Sequence, residues 1–243
     1  MDEITTGAEM PSPDVVLSSL GPPVVEKVIV EDRTFLIQKP SQSDQPFDTT
    51  SANTAMSGYV PFWADLWPAA RMLAKVIQQE TWTPGAEALE LGCGLGLPGI
   101  VALSRGLKVT FSDHDPSALR FAADNARLNG FENVSTLEFD WRQPPVDRWF
   151  AVIFGADLIY ESNHAERLAS CIKGLLAADG IAWVTDLERI PAKVLHAALE
   201  TERLQYSTRV VRAGEPGGRR FKGTLYRIVH VPDSASGSVF SRR

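Results

Sequence analysis

Three closely spaced glycines are the residues with the clearest chemical use in this chain. They are Gly92, Gly94 and Gly96, within the segment ALELGCGLGLPG that occupies residues 88–99. The segment follows an apolar run that predicts a strand and opens a predicted helix, which is the context in which glycine loops bind nucleotides. Glycine lets the backbone turn tightly and lets a ligand approach where a side chain would collide. We therefore predict a ligand-binding loop here.

Two acidic residues beside this loop narrow the choice of ligand. Asp113 ends the next predicted strand, about 20 residues after the first glycine, where a carboxylate can accept hydrogen bonds from both ribose hydroxyls. Glu90 precedes the first glycine, and its charge would repel a pyrophosphate but attract the ammonium of a methionine-like group. Gly94, Gly96 and Gly99 also spell the dinucleotide fingerprint GxGxxG. The loop thus predicts an adenosine-containing ligand and leaves its identity open.

A second candidate site lies in the segment GADLIYE, residues 155–161. Asp157 ends an apolar predicted strand, where a charged residue is costly to bury without a use. Tyr160 follows at the spacing of one helical turn, so we expect both side chains to face one ligand. Ligands of open parallel sheets bind at the carboxyl ends of the strands. This places Asp157 and Tyr160 in the predicted binding crevice.

Alternating strands and helices must position these residues. Apolar periodicity and turn residues predict strands over residues 86–91, 107–112, 134–139, 149–155 and 181–185, with helices over 98–104, 116–129, 162–177 and 191–200. Repeated strand–helix units imply a parallel sheet with helices on both faces. Two further pairs of β-rich runs, 24–30 with 34–38 and 204–211 with 223–231, predict a hairpin before this sheet and another after it.

The chain has 243 residues, of which 44% are hydrophobic and 22% charged, a composition typical of a globular protein. We expect a flexible N-terminal arm over residues 1–23, a single domain over 24–231 and a flexible tail over 232–243. No apolar run reaches the roughly 18 residues that span a bilayer, and the two cysteines do not form a disulfide scaffold. Neither cysteines nor histidines show the spacing of a metal site. We therefore predict a cytoplasmic protein without membrane association or a bound metal.

The charge distribution indicates which partners suit the chain. The net charge is −6, which makes nucleic acid an unlikely partner because affinity for phosphate backbones comes largely from Lys and Arg. The basic stretch RVVRAGEPGGRRFKG, residues 209–223, contains five basic residues and one acidic residue. It is either a solvated hairpin tip or a loop at the ligand-binding edge that orients an acidic protein substrate.

Motifs in chain order resemble those of class I, seven-β-strand S-adenosylmethionine methyltransferases, and within that class methyltransferase family 16. The motifs are VPFWADLWPAARMLA (60–74), ELGCGLG (90–96), VTFSDHDPSAL (109–119), FDW (139–141) and GADLIYE (155–161). The glycine loop is common to the class, whereas LWPAARMLA and GADLIYE are more specific. The resemblance implies an α/β fold: a Rossmann-like doubly wound, mostly parallel seven-stranded sheet with a C-terminal antiparallel hairpin and a small N-terminal β hairpin.

The resemblance also implies S-adenosylmethionine as the cofactor. The predicted cofactor-binding residues are Trp67, Glu90, Gly92, Cys93, Gly94, Asp113, Asp140, Trp141 and Ala156. Among them, the loop 92–94 would lie along the methionine and ribose, and Asp113 would hold the ribose. Trp141 and Asp140 would border the adenine, although Asp140 is equally consistent with capping a turn. Ala156 would pack near the adenosine end, and Trp67 would close the pocket.

Many members of the family methylate lysine side chains of proteins, so the resemblance implies a protein lysine N-methyltransferase. The acceptor amine must be neutral, although the pKa of a lysine side chain in water is near 10.4, and it must lie about 3–3.5 Å from the methyl carbon. Asp157 and Tyr160 are the predicted catalytic residues that orient this amine.

Several alternatives stay open at this point. They are a methyltransferase for a small amine or N-heteroaromatic metabolite, a nucleic-acid methyltransferase, a scaffold without catalysis and an NAD-dependent oxidoreductase. The sequence does not specify the acceptor, the degree of methylation or the oligomeric state, for which a monomer is the default.

Overall fold

The computed structural model describes residues 20–41, 61–141, 143–161, 163–188, 190–214 and 220–232. The predicted N-terminal arm and the predicted tail lie almost entirely outside the described residues. The division into an arm, one domain and a tail therefore stays a prediction.

The described ranges contain nine strands and five α-helices. The strands are β1 (Pro23–Val30), β2 (Arg33–Pro40), β3 (Glu87–Leu91), β4 (Lys108–Asp113), β5 (Ser135–Glu138), β6 (Phe150–Ala156), β7 (Leu176–Asp186), β8 (Leu204–Gly214) and β9 (Arg220–His230). The helices are α1 (Pro68–Gln79), α2 (Leu97–Ser104), α3 (Pro116–Leu128), α4 (His164–Leu175) and α5 (Ala192–Thr201). A single 3-10 turn, Phe62–Ala64, precedes α1.

Seven strands form the main sheet in the order β5-β4-β3-β6-β7-β9-β8. Strands β3 to β7 are parallel, whereas β9 is antiparallel to both β7 and β8. Strand β8 therefore runs with the parallel strands, and its carboxyl end lies at the same edge as theirs. Strands β1 and β2 form a separate antiparallel hairpin. The predicted fold class is confirmed.

The boundary between α4 and β7 differs from the prediction. Strand β7 begins at Leu176, five residues before the predicted start, and α4 ends at Leu175. The pairing with β6 runs from Phe150 with Leu176 to Val152 with Ile181, across an irregularity that absorbs the extra residues of β7. The Asp-Gly pair before Ile181 resembles a turn in the sequence, but here it lies inside a strand.

Two apolar cores cover the two faces of the sheet. Helices α1, α2 and α3 and the β1–β2 hairpin contribute to one core, and α4 and α5 contribute to the other. Strand β3 lies between β4 and β6, and four of its five residues are buried, as expected for a parallel strand covered on both faces. Within the described ranges, no helix combines the length and apolar character that a bilayer crossing requires.

Two asparagines at the end of α3 attach the β1–β2 hairpin to the domain. Asn125 is fully buried; its side chain accepts a hydrogen bond from Gln38 N at 2.6 Å and donates to the carbonyl oxygens of Gln38 and Leu95, both at 3.0 Å. Asn129 bonds both backbone groups of Leu36 in the same way. The two side chains thus take the place of a neighbouring strand along β2, and Asn125 also holds the glycine loop.

Replacing Asn125 should uncouple these elements. Asn125→Leu leaves three backbone groups without their partner, so we expect the free energy of unfolding to fall by about 2–4 kcal/mol in urea denaturation. Asp124→Ala is the matched control, because Asp124 lies on the same helix in an exposed ion pair with Arg127. Its effect should stay below about 1 kcal/mol. Equal effects of both variants would contradict this role of Asn125.

Candidate active site

A cavity of about 640 Å³ lies at the carboxyl ends of β3, β4 and β6. Its size falls within the usual range for small-molecule sites. Ten of the predicted site residues line it, namely Trp67, Glu90, Gly92, Cys93, Gly94, Asp113, Trp141, Ala156, Asp157 and Tyr160. The structure therefore brings together the glycine loop and the GADLIYE segment, as the topology predicts. Whether each residue has its predicted role stays a prediction.

Asp140 is the predicted site residue that does not line the cavity. Its carbonyl oxygen accepts a hydrogen bond from Gln143 N at 2.8 Å. Asp140 therefore begins a turn beside Trp141, and its predicted contact with a ligand has less support than the others.

The glycine loop has a conformation that side chains disfavour. Gly92, Gly94 and Gly96 have φ angles of 56°, 50° and 81°, in the left-handed region that favours glycine. A Cβ at Gly92 would lie 2.7 Å from a methyl group of Leu158, and one at Gly94 would lie 3.2 Å from the carbonyl oxygen of Trp63. The loop therefore presents backbone to the cavity.

Asp113 holds this loop in place from the end of β4. Its carboxylate accepts hydrogen bonds from Gly94 N at 3.0 Å and from Asp115 N at 3.1 Å, and the residue is only 5% exposed. A carboxylate has further lone pairs with which to accept hydrogen bonds from a ligand. Asp115 instead caps α3 by accepting from Ser117 N at 2.7 Å, the capping role that its position before Pro116 indicates.

Glu90 is a buried acid at the base of the cavity. It accepts a hydrogen bond from Gly99 N at 2.9 Å. Burial raises the pKa of Glu90 well above 4.5; the Gly99 N–H opposes this shift, and the charge of Asp113 adds to it. A Cβ at Gly99 would collide with the Glu90 carboxylate and with Phe111. Packing against Glu90 therefore explains the last glycine of the GxGxxG pattern without a pyrophosphate.

The Cys93 thiol is buried beside the same acids. Burial raises the pKa of Cys93 well above its ordinary value, and the charges of Asp113 and Glu90 add to this effect. A thiol that stays protonated is a poor nucleophile. Cys93 contributes backbone to the loop, through the hydrogen bond of its N–H to Ser112 O at 2.9 Å.

Asp157 and Tyr160 lie on a connection between β6 and α4 that is not helical, so the predicted helical turn is wrong. Asp157 has a φ of 58°, a left-handed conformation that turns the chain out of the strand. Its backbone N–H donates to Thr185 O at 2.8 Å, which fixes it to the end of β7. Asp157 is 7% exposed, whereas Tyr160 is 41% exposed at the mouth of the cavity. Both side chains line the cavity despite the different backbone.

An aromatic rim at this mouth was not predicted from the sequence. Phe62 is half-exposed, and its ring lies 5.5 Å from that of Tyr160 and 6.3 Å from that of Trp67. The indole N–H of Trp67 donates to Phe62 O at 2.7 Å, which holds the two residues together. Phe62 lies in the 3-10 turn before α1, and the sequence offers no periodic signal for its position.

His164 is a second residue of the site that the sequence did not reveal. Its ring lies 4.3 Å from that of Tyr160 and 6.0 Å from that of Trp141, in edge-to-face geometry with both. Burial lowers the pKa of His164, and the charge of Glu161 opposes this shift; the ring links Tyr160 and Trp141, which line the cavity. Only its position at the start of α4 was available from the sequence.

Acidic side chains dominate the cavity. Six carboxyl groups line it, and none of the described lining residues is Lys or Arg. The acidic residues are Asp65, Glu90, Asp113, Asp115, Asp157 and Glu161. Asp65 is paired with Lys39 at 3.3 Å. This lining favours positively charged groups and opposes phosphates.

Comparisons with known proteins agree with this geometry. The family described as lysine methyltransferase matches residues 62–195. The histone-arginine methyltransferase METTL23 of Rattus norvegicus is 29% identical over 190 residues, which cover 72% of each chain. The electron transfer flavoprotein beta subunit lysine methyltransferase of Danio rerio is 27% identical over 183 residues, which cover 72% of this chain and 60% of that protein.

A solved structure with a similar fold is the ribosomal protein L11 methylase of Lactobacillus delbrueckii subsp. bulgaricus. It has a TM-score of 0.53 and 18% sequence identity, over 67% of this chain and 79% of that chain. At this identity, the likeness concerns the fold alone.

The buried acid Glu90 should leave a signature in the pH dependence of stability. A carboxyl group with a raised pKa binds more protons in the folded state, so its contribution to stability falls as pH rises above about 4.5. Glu90→Gln keeps an acceptor for Gly99 N but cannot ionise. We expect its free energy of unfolding, relative to the unsubstituted protein, to increase between about pH 5 and pH 8 in urea denaturation. The control is Glu87→Gln on the exposed end of β3, which should give a parallel profile. If the difference in free energy of unfolding between Glu90→Gln and the unsubstituted protein did not change with pH, the raised pKa of Glu90 would be contradicted.

Proposed function

Because this chain belongs to the lysine methyltransferase family, methyltransferase family 16, we propose that it transfers a methyl group from S-adenosylmethionine to lysine side chains of a protein substrate. The observation that carries the proposal is the acidic lining of the cavity at the carboxyl edge of the sheet, which includes six carboxyl groups and, among the described residues, no lysine or arginine. Such a lining suits a cofactor and an acceptor that are both cationic.

The residues of the cavity fit S-adenosylmethionine. The left-handed backbone at Gly92 and Gly94 exposes main-chain atoms to the cavity without side chains, and Asp113 offers a fixed carboxylate at the end of β4 for ribose hydroxyls. Burial raises the pKa of Glu90, and an ammonium group bound beside it would favour its charged form. Trp141 offers an aromatic face for adenine. The cofactor supplies a methyl group on a positively charged sulfur, which leaves as a neutral thioether.

The other half of the cavity suits the acceptor. Asp157 is held at the end of β6 by Thr185 O, so its carboxylate is positioned to align a lysine amine by accepting a hydrogen bond. A carboxylate also stabilises the ammonium form, so its first role is positioning and not removal of the proton. Desolvation in the cavity and the positive charge on the sulfur of a bound S-adenosylmethionine would both lower the pKa of the lysine side chain. Tyr160, packed between Phe62 and His164, walls the path of the side chain.

Other functions have less support. The acidic lining opposes a pyrophosphate and a nucleic-acid backbone. A small amine or N-heteroaromatic metabolite is not favoured as the acceptor, because the relatives described above are named for methylation of proteins. One of those relatives is named for arginine, so identification of the product must separate lysine from arginine.

We also propose that the protein is cytoplasmic. Both cysteines are buried free thiols, which suits a reducing compartment.

The test of this function is label transfer. The purified protein is incubated with S-adenosylmethionine that carries an isotope on the methyl group and with a cell extract. We expect the label in protein and, after acid hydrolysis, in methylated lysine. Label found only in small molecules or nucleic acid would overturn the proposal. Label in methylated arginine would show that the acceptor is arginine and not lysine.

Substitutions at Asp157 should separate catalysis from cofactor binding. Asp157→Ala should lower kcat by about 10²-fold or more, the scale on which misplacement of a reacting group acts, while cofactor affinity changes by less than about threefold. Because Asp157 has a left-handed backbone, Asp157→Asn tests the charge without added strain, and we expect a smaller loss of kcat. Tyr160→Phe should also cost less than Asp157→Ala, because its ring still walls the channel.

Asp113→Ala is the matched control, because it removes another carboxylate of the same cavity. It should weaken cofactor binding by about 2–4 kcal/mol, measured by calorimetry on the same folded proteins. If the Asp157→Asn and Asp157→Ala variants both fold and both retain full activity, this carboxylate has only a structural role.

A further inference from the structure

We infer that the end of β8 and the start of β9, which extend beyond the carboxyl edge of the sheet, dock acidic residues of the protein substrate and set their distance from the acceptor lysine. The docking surface consists of three exposed cations, Arg212, Arg220 and Lys222. This inference rests on the proposed lysine methylation, and it specifies that the acceptor lysine has acidic residues near it in the substrate sequence.

The three cations project from one face of the hairpin. The register places Arg212 opposite Lys222, and Gly214 opposite Arg220. Residues that lie opposite each other, or two positions apart in a strand, share a face. None of the three forms an ion pair with a described residue. Like charges directly opposite each other destabilise an antiparallel pair, so the Arg212–Lys222 pair is better explained by an anionic partner than by stability of the hairpin.

The hairpin carries these cations past the carboxyl edge of the sheet. The last pair between β7 and β9 is Asp186 with Thr224, so Lys222 and Arg220 lie two and four residues beyond that edge. At about 3.3 Å per residue, this is roughly 7 and 13 Å. Strand β9 is two strands from β6, or about 10 Å. The cations therefore lie on the order of 10–20 Å from Asp157, which follows β6.

The cations lie on the side of the sheet toward which the Asp157–Tyr160 connection leads. Lys222 and Arg220 share their face of β9 with Tyr226, which packs against His196 of α5. Helix α4, which follows the Asp157–Tyr160 connection, contributes to the same core as Tyr226. The aromatic rim also includes residues just before α1, a helix of the other core, so the cavity opens at the edge of the sheet. A substrate segment can therefore run along this edge from the hairpin to Tyr160.

This geometry defines a charge pattern in the substrate. An extended chain advances about 3.3–3.6 Å per residue, so acidic residues about three to six positions from the lysine reach the docking surface. The carboxylates of the cavity, including Asp157 and Glu161, repel acidic residues immediately beside the lysine. The preferred acceptor is a lysine with acidic residues a short distance away along the chain.

The test measures binding of two synthetic peptides by fluorescence anisotropy, with the demethylated cofactor present. Each peptide has one lysine; one has glutamates three to six positions away, and the other has glutamines there. The triple variant Arg212→Gln, Arg220→Gln and Lys222→Gln should bind the glutamate peptide about tenfold more weakly at low salt. The difference should shrink at high salt because exposed charges are screened.

Arg209→Gln is the matched control. Arg209 lies on the same hairpin but on the opposite face, where it pairs with Glu80 at 3.6 Å, so its removal should leave the binding within about twofold. An unsubstituted protein without preference for the glutamate peptide, or an unchanged preference in the triple variant, would overturn the docking role. The label-transfer experiment tests lysine methylation independently of peptide binding. A failure of the proposed function is therefore distinguishable from a failure of the docking role.

Discussion

Hydrogen bonds from backbone N–H groups to buried carboxylates hold the active site together. Gly99 donates to Glu90, which joins α2 to strand β3. Gly94 donates to Asp113, which joins the glycine loop to the end of strand β4. The conformation of the glycine loop and the positions of the acids therefore determine each other. The same bonds offset part of the cost of removing these acids from water, so an anionic cavity is possible inside an α/β domain.

On the proposed acceptor side of the cavity, a strained backbone conformation positions the side chains. Asp157 leaves β6 in a left-handed conformation, and its N–H is bound by Thr185 at the end of β7. Non-glycine residues adopt this conformation at a cost of about 1 kcal/mol or more. The short connection that results brings Asp157 and Tyr160 to one cavity although no helix joins them. Strain at this turn thus accompanies the placement of the two residues that we propose to orient the acceptor.

The sequence predicts the parts of this site that depend on topology. Gly92, Asp113 and Asp157 follow or end three parallel strands, and the alternation of strands and helices fixes which strand ends share an edge. Contacts that depend on packing between distant elements were not predictable. Phe62 meets Tyr160 only after α1 docks on the sheet, and the early start of β7 at Leu176 depends on pairing with β6, which overrides a local turn signal.

The attachment of the β1–β2 hairpin through Asn125 has a consequence for the order of folding. The hydrogen bonds of Asn125 to Gln38 and of Asn129 to Leu36 span 87 and 93 residues of sequence, so they form only after β3, β4 and α3 exist. Synthesis from the N-terminus exposes the hairpin first and its partner helix much later. The hairpin therefore docks late although it is synthesised before its partner helix, and contacts of such long range slow folding. Because Asn125 also binds Leu95 O, the side chain that receives the hairpin is also in contact with the glycine loop.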